Sequence, residues 1–165
     1  MSAPGGSRAE ELRELLQLSP HPEGGWFRET FRSGALVQLQ DGRGPRSAMT
    51  VIDFLLVRGE VSVWHVVRSD ECWIASEGGP LVLRMFNPAT GEREECRLGC
   101  AARDQQPSRV VPAGWWQSAA PAGDYSLVQC VVSPGFDFSD FRMIRDDASL
   151  RELSALLPES WRQFV

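Results

Sequence analysis

The chain has no lysine: all 17 of its basic residues are arginine. Schiff-base and other lysine-dependent chemistry is therefore excluded, and any bound oxyanion must be held by arginine or by backbone N–H groups. Histidine is nearly as scarce, occurring only at His21 and His65. One copy of the chain thus cannot supply the three imidazoles that a tightly held transition metal often takes. Tyr125 is the only tyrosine, and so the only phenolic acid available. The four cysteines, Cys72, Cys96, Cys100 and Cys130, lack the C-x-x-C pairing of zinc sites. Cys72 and Cys130 fall in expected strands as small core residues, while Cys96 and Cys100 flank a turn. No apolar run approaches the roughly 18–20 residues of a membrane span. The opening segment MSAPGGSRAEEL carries no secretory pattern. The expectation is a cytoplasmic protein with no membrane partner, and a net charge of −5 argues against a nucleic-acid polymer as partner.

What is present is strand. Runs at about 25–33, 48–57, 60–67, 71–76, 81–86, 93–98, 108–111, 115–119 and 125–132 are rich in Val, Ile, Trp and Phe. Turn clusters such as DGRGP, EGGP, NPATGE and PAGD separate them. Short strands at such regular spacing predict an all-β sandwich, jelly roll or barrel. Amphipathic patterns predict short helices at each end, at about 9–17 (Leu12, Leu15, Leu16) and about 147–157 (Leu150, Leu153, Leu156, Leu157). Residues 1–8 read as a disordered tail, and 9–165 as one domain with its barrel at about 25–141.

Strand alternation places Val61, Val63, His65 and Val67 on one face, and Glu71, Trp73 and Ala75 on one face of the next strand. A hairpin between them brings His65 and Glu71 together. The spacing G-x5-H-x-H-x3-E-x6-G resembles the first motif of the cupin superfamily, matched by Gly59, His65, Glu71 and Gly78 but not by Val67. VPAGWWQ resembles the second motif, with Pro112 and Gly114 in place and Gln117 where a histidine is expected. HPEGGWFRETFRS, WHVVRSDECW, VPAGWWQSA and SLVQCVVSPGFDF, spanning about 18–141, resemble a small cupin family of unassigned function. The chain departs from that family's pattern at Ile74, often histidine, and at Asp53, usually aromatic. The resemblance implies a double-stranded β-helix, that is a jelly-roll cupin barrel, and a homodimer. It is also distantly similar to sugar-nucleotide epimerases and storage cupins.

The candidate catalytic groups are His65 as a general base, Glu71 as the carboxylate that orients it, and Tyr125 as an acid. Trp73 and Trp116 are expected to form a stacking wall, and Gln117 to read a polar ligand edge. Arg28 and Arg32, on one face of an unbroken strand, form an expected anion clamp, with Asp53 nearby. His21 lies in the turn before the barrel and is left outside the site. No cofactor is expected; a metal, if bound, would fall to His65, Glu71 and Gln117, a poor set. The functional expectation is a barrel that binds a small anionic ligand, such as a nucleotide, sugar nucleotide or sugar phosphate. As an enzyme it would be a metal-independent epimerase or isomerase. The alternatives are a non-catalytic binding or storage module, and a metal-dependent oxygenase or isomerase with an incomplete ligand set.

Overall fold

The computed structural model describes residues 6–146 and 153–165. Thirteen strands run in chain order: β1 (Ser19–Pro20), β2 (Trp26–Arg32), β3 (Leu36–Val37), β4 (Arg46–Ser47), β5 (Thr50–Val57), β6 (Ser62–Val67), β7 (Asp70–Gly78), β8 (Leu81–Phe86), β9 (Arg93–Leu98), β10 (Ser108–Val111), β11 (Trp116–Pro121), β12 (Tyr125–Ser133) and β13 (Phe141–Met143). They form a six-stranded sheet, β1-β2-β5-β12-β7-β10, facing a five-stranded sheet, β13-β6-β11-β8-β9; β3 and β4 pair separately. Every pairing between these strands is antiparallel. The crossovers between the sheets make this a jelly roll. Each long strand falls within about two residues of its expected position, whereas the two- and three-residue strands had no run long enough to show a period of two.

Alternation fills the barrel from both sheets. Phe54 and Leu56 of β5, Trp73 of β7, Leu81, Leu83 and Met85 of β8, Ala119 of β11, and Val128 and Cys130 of β12 join one core cluster. Burying each large apolar side chain there contributes about 1.5–3 kcal/mol. The opposite faces are covered differently. Against the six-stranded sheet lies helix α1 (Arg8–Leu15), started by a Ser7–Glu10 capping box. Its Ala9 and Leu12 pack on Leu55 and Leu127. Leu12 is buried, but Leu15, expected on the same face, is exposed. Against the five-stranded sheet lies the C-terminal segment, where Leu153, Leu157, Trp161 and Phe164 meet Trp64, Val66, Phe86 and Trp116. Residues 147–152 of the expected C-terminal helix lie outside the described residues, and 153–156 form a 3-10 turn. Among the described residues no helix is long and apolar enough to cross a membrane.

The core fills only one half of the barrel. At the other end, where β6, β7 and β12 meet the turn before β2, a cavity of about 290 Å³ remains.

Candidate functional site

The cavity floor is built by a turn that glycine makes possible. In HPEGG, Gly24 and Gly25 have φ of +106° and +71°. A Cβ on Gly24 would stand 2.1 Å from Val61 O, so only glycine lets the turn close on β6. Val63 N then donates to Glu23 O at 2.9 Å. The closure carries His21 and Glu23 into the interior beside His65. Sequence reasoning missed both residues. The available signal was a His-x-Glu pair followed by two glycines, a turn bearing titratable side chains and able to approach another backbone closely.

Glu23 is the hub. Ser62 Oγ donates to its Oε1 at 2.9 Å, and its Oε2 faces His65 Nε2 at 3.4 Å and His21 Nδ1 at 3.5 Å. His65 Nδ1 lies 2.8 Å from Val63 O, an acceptor only, so the proton sits on Nδ1 and Nε2 presents a lone pair to Glu23. His21 Nδ1 accepts from Glu23 N at 3.2 Å. The orienting partner of His65 is therefore the Val63 carbonyl, and the carboxyl facing its free nitrogen is Glu23, not Glu71 as expected. Burial pushes Glu23 up to about 8, against the Ser62 hydrogen bond, and pulls His21 down to about 3, helped by His65. His65 is likewise lowered by burial, with Glu71 opposing.

Glu71, on the first turn of β7, stands in the facing sheet. Burial raises it to about 7; His65 opposes the rise and Glu23 adds to it. Trp73 Nε1, a donor only, gives its hydrogen to Gln117 Oε1 at 2.8 Å. This fixes the amide so that Nε2 donates to Glu71 Oε2 at 2.5 Å. Gln117 and Trp73 thus hold Glu71 and do not line the cavity. Phe27, Ile52, Val67, Cys130 and Val132 form the walls, and Phe136 and Phe138 the rim. The expected tryptophan wall is a phenylalanine one. Trp73 is fully buried, edge-on to Phe54. Trp116 points out of the barrel into the C-terminal cluster, because its neighbour Gln117 points in.

The arginine clamp does not form either. β2 carries a bulge: Arg28 pairs with Asp53 and Glu29 with Ile52, but Phe31 pairs with Val51, leaving Thr30 unmatched. The extra residue inverts the alternation. Arg28 faces outward, 3.8 Å from Asp53, whose other contact is Gln129 Nε2 at 3.3 Å. Arg32 faces the cavity rim with Glu29 and Thr50. Tyr125 sits at the far end of β12, donating to Glu77 at 2.8 Å, remote from the cavity lining.

The metal set of the motif does not fit. Val67 offers no ligand, both ends of the Gln117 amide are spent on Trp73 and Glu71, and Glu71 Oε2 is itself an acceptor in that chain. Among the described residues no group of three or more His, Cys, Asp or Glu side chains could hold a metal ion.

A jelly roll whose motif strands deliver His65, Glu71 and Gln117 to its interior is a cupin. The chain belongs to the family described as "Cupin superfamily (DUF985)", whose model matches residues 10–144. A hypothetical protein from Leishmania major is 32% identical, with a TM-score of 0.83 over 95% of this chain and 98% of that one. A protein from Shewanella oneidensis is 36% identical, with a TM-score of 0.73 over 82% and 83%. The uncharacterised yeast protein YML079W from Saccharomyces cerevisiae is 26% identical over 163 residues, 89% of this chain and 80% of its own length.

Proposed function

We propose that this cupin binds a compact polar molecule in the mouth of its barrel and moves a proton on it without a metal, as an isomerase or epimerase does. One observation carries the reading: two buried carboxyl groups with pKa values near neutrality, Glu23 and Glu71, flank His65 at the floor of a single cavity. Near pH 7, Glu23 holds its proton and Glu71 is divided between its two forms. That is the division of labour of a general acid and a general base. Glu71 takes a proton from a carbon beside a ligand carbonyl. Glu23, in contact with His65, gives its proton to the carbonyl oxygen as the enol forms, and the reverse transfers complete the exchange. When Glu71 returns its proton to the neighbouring carbon of an enediol and Glu23 takes back a hydroxyl proton, the ligand is isomerised.

The cavity volume, about 290 Å³, equals roughly ten water molecules. It holds one sugar-sized unit. A nucleotide or sugar nucleotide would seat only its reacting part, and Arg32 at the rim supplies the charge that favours an anionic ligand.

A thermal-shift panel of sugars, sugar phosphates and nucleotides finds the ligand, because one supplied at 100 times its Kd adds about 2.7 kcal/mol. Deuterium from solvent should then enter that ligand, and Glu71→Gln should abolish entry while keeping the thermal shift. A stabilising ligand that never exchanges would leave a binding module in place of an enzyme.

A further inference from the structure

The cavity has apolar walls between two polar ends. Its floor carries the carboxyls of Glu71 and Glu23 and the lone pair of His65 Nε2, whose ring hydrogen is spent on Val63. Among the described residues its rim carries one cation, Arg32, with a side chain 44% exposed. The two ends lie in one row of the six-stranded sheet: Arg32 pairs with Thr50, Thr50 with Val132, and Val132 with Glu71. Three strand spacings, about 14 Å, separate the outer Cα atoms. With both side chains reaching inward, the space between them matches a single sugar-sized unit. The row exists because of the bulge at Thr30, without which Arg32 would join Arg28 on the outer face. Bulges recur beside active sites, where they re-aim a side chain.

Arg32 already holds a carboxylate. Glu29 accepts from its Nε at 2.9 Å and its Nη2 at 2.8 Å, and Phe136 O accepts from Nη1 and Nη2 at 3.2 and 3.1 Å. A carboxylate across the guanidinium fork is the arrangement in which arginine binds a free carboxylate, and here the same strand supplies it from three residues away. Both side chains are more than a third exposed, so the pair contributes little and opens easily. Glu29 and Asp137 line the same rim. A single guanidinium between two carboxylates suits one negative charge better than the two of a phosphate.

We propose that the ligand is a compact polyhydroxy carboxylic acid whose carboxylate replaces Glu29 on Arg32, while its hydroxyl groups meet the carboxyl floor at Glu71 and Glu23. The inference rests on the proton-transfer reading of that floor and adds the substrate class. Arg32 is the specificity-determining residue, and Glu29 a built-in competitor that keeps the guanidinium aimed when no ligand is bound.

The test measures affinities of glucuronate, galacturonate and 2-ketogluconate by calorimetry. Each acid is compared with its neutral sugar (glucose, galactose, fructose) and with that sugar's 6-phosphate. The proteins are the wild type and its Arg32→Gln, Glu29→Gln and Arg28→Gln variants. At least one acid should bind more tightly than its sugar and its phosphate. Arg32→Gln should weaken that acid about tenfold or more, Glu29→Gln should tighten it up to about fivefold, and the outward Arg28→Gln should change nothing. The neutral sugar should ignore all three substitutions, which also shows that the cavity is intact in each variant. Acids that bind no better than their sugars, phosphates that bind best, or equal effects at Arg28 and Arg32 would each overturn the proposal. Deuterium exchange into a neutral sugar indifferent to Arg32 would sink the anchor and leave proton transfer standing. Tight acid binding through Arg32 without exchange would do the reverse.

Discussion

Glu23→Gln is the most direct probe of the buried floor, and its effect should depend on pH. Glu23 sits at about 8 and Glu71 at about 7, against an ordinary value of 4.5. In the unfolded chain both ionise near 4.5, so above that pH the folded state binds more protons than the unfolded one. Stability then falls by about 1.4 kcal/mol for each pH step per group, until the folded carboxyl also ionises. His21, held at about 3 against 6.5, works in the opposite sense: its contribution is complete above 6.5 and is lost as pH falls toward 3. His65 is displaced in the same direction. Below pH 6.5 the histidines and carboxyls offset each other; above it only the carboxyls act. Stability should peak near pH 6 and drop between pH 6.5 and 8, by about 2 kcal/mol from Glu23 alone. For a domain of this size that lowers Tm by about 4–8 °C. Glutamine keeps the shape, can accept from Ser62 and can donate to His65 Nε2, but cannot ionise. The variant should lose most of the slope and be the more stable protein above pH 7. Thermal and urea denaturation of both proteins at pH 6.5 and 8 measures this. Parallel pH profiles, or a wild type that gains stability from pH 6.5 to 8, would refute the reasoning.

Two substitutions test the scaffolding of the cavity. Asp140 is buried and accepts from Arg46 Nε at 2.8 Å, Arg46 Nη2 at 3.0 Å and Arg43 Nη1 at 3.2 Å. Asp140→Asn leaves the largely buried Arg46 without its counter-charge and Arg43 with Asp41 alone, and should cost about 3 kcal/mol in urea denaturation. Arg46 also donates to Ser139 Oγ at 3.2 Å, in the turn that carries Phe138, so ligand affinity should fall with stability. Gly24→Ala places a Cβ against Val61 O at a left-handed φ and should destabilise by more than about 1 kcal/mol. Because the HPEGG turn must then lift from β6, the pH slope assigned to Glu23 should shrink in the same protein, which a loss of packing elsewhere would not produce.

The fold was legible because the long strands alternate cleanly and their turns carry Gly, Pro and Asp at the required points. The site was legible only where it depends on alternation inside one strand. His65 and Glu71 line the cavity, as the period of two requires. Arg28 and Arg32 do not share a face, because one unmatched residue inverts the strand and FRETFR gives no composition cue for it. Trp116 and Gln117 were both assigned to the ligand, although neighbours on a strand point apart; the structure keeps Gln117 inside and sends Trp116 out. Being the sole tyrosine says nothing about position, and Tyr125 lies beside Glu77, away from the cavity lining.

The bulge and the HPEGG turn explain how a cupin motif short of histidines still produces a chemically organised interior. At the positions of the two missing imidazoles stand Val67, which is apolar, and Gln117, which the donor-only indole of Trp73 turns toward Glu71. These changes remove the convergent lone pairs that a metal needs and leave Glu71 buried with one amide donor. A lone buried carboxyl would simply take up a proton. His65 opposes that outcome, and the turn brings a second carboxyl, Glu23, between His21 and His65. With two carboxyls and two imidazoles gathered on one cavity, protons can be redistributed among the groups that line it. The charge cost of burial, which would merely destabilise an isolated acid, then sets Glu71 at about 7 and Glu23 above it at about 8. Proton traffic on a bound ligand requires that separation, and it follows from two glycines that let a loop lie against β6.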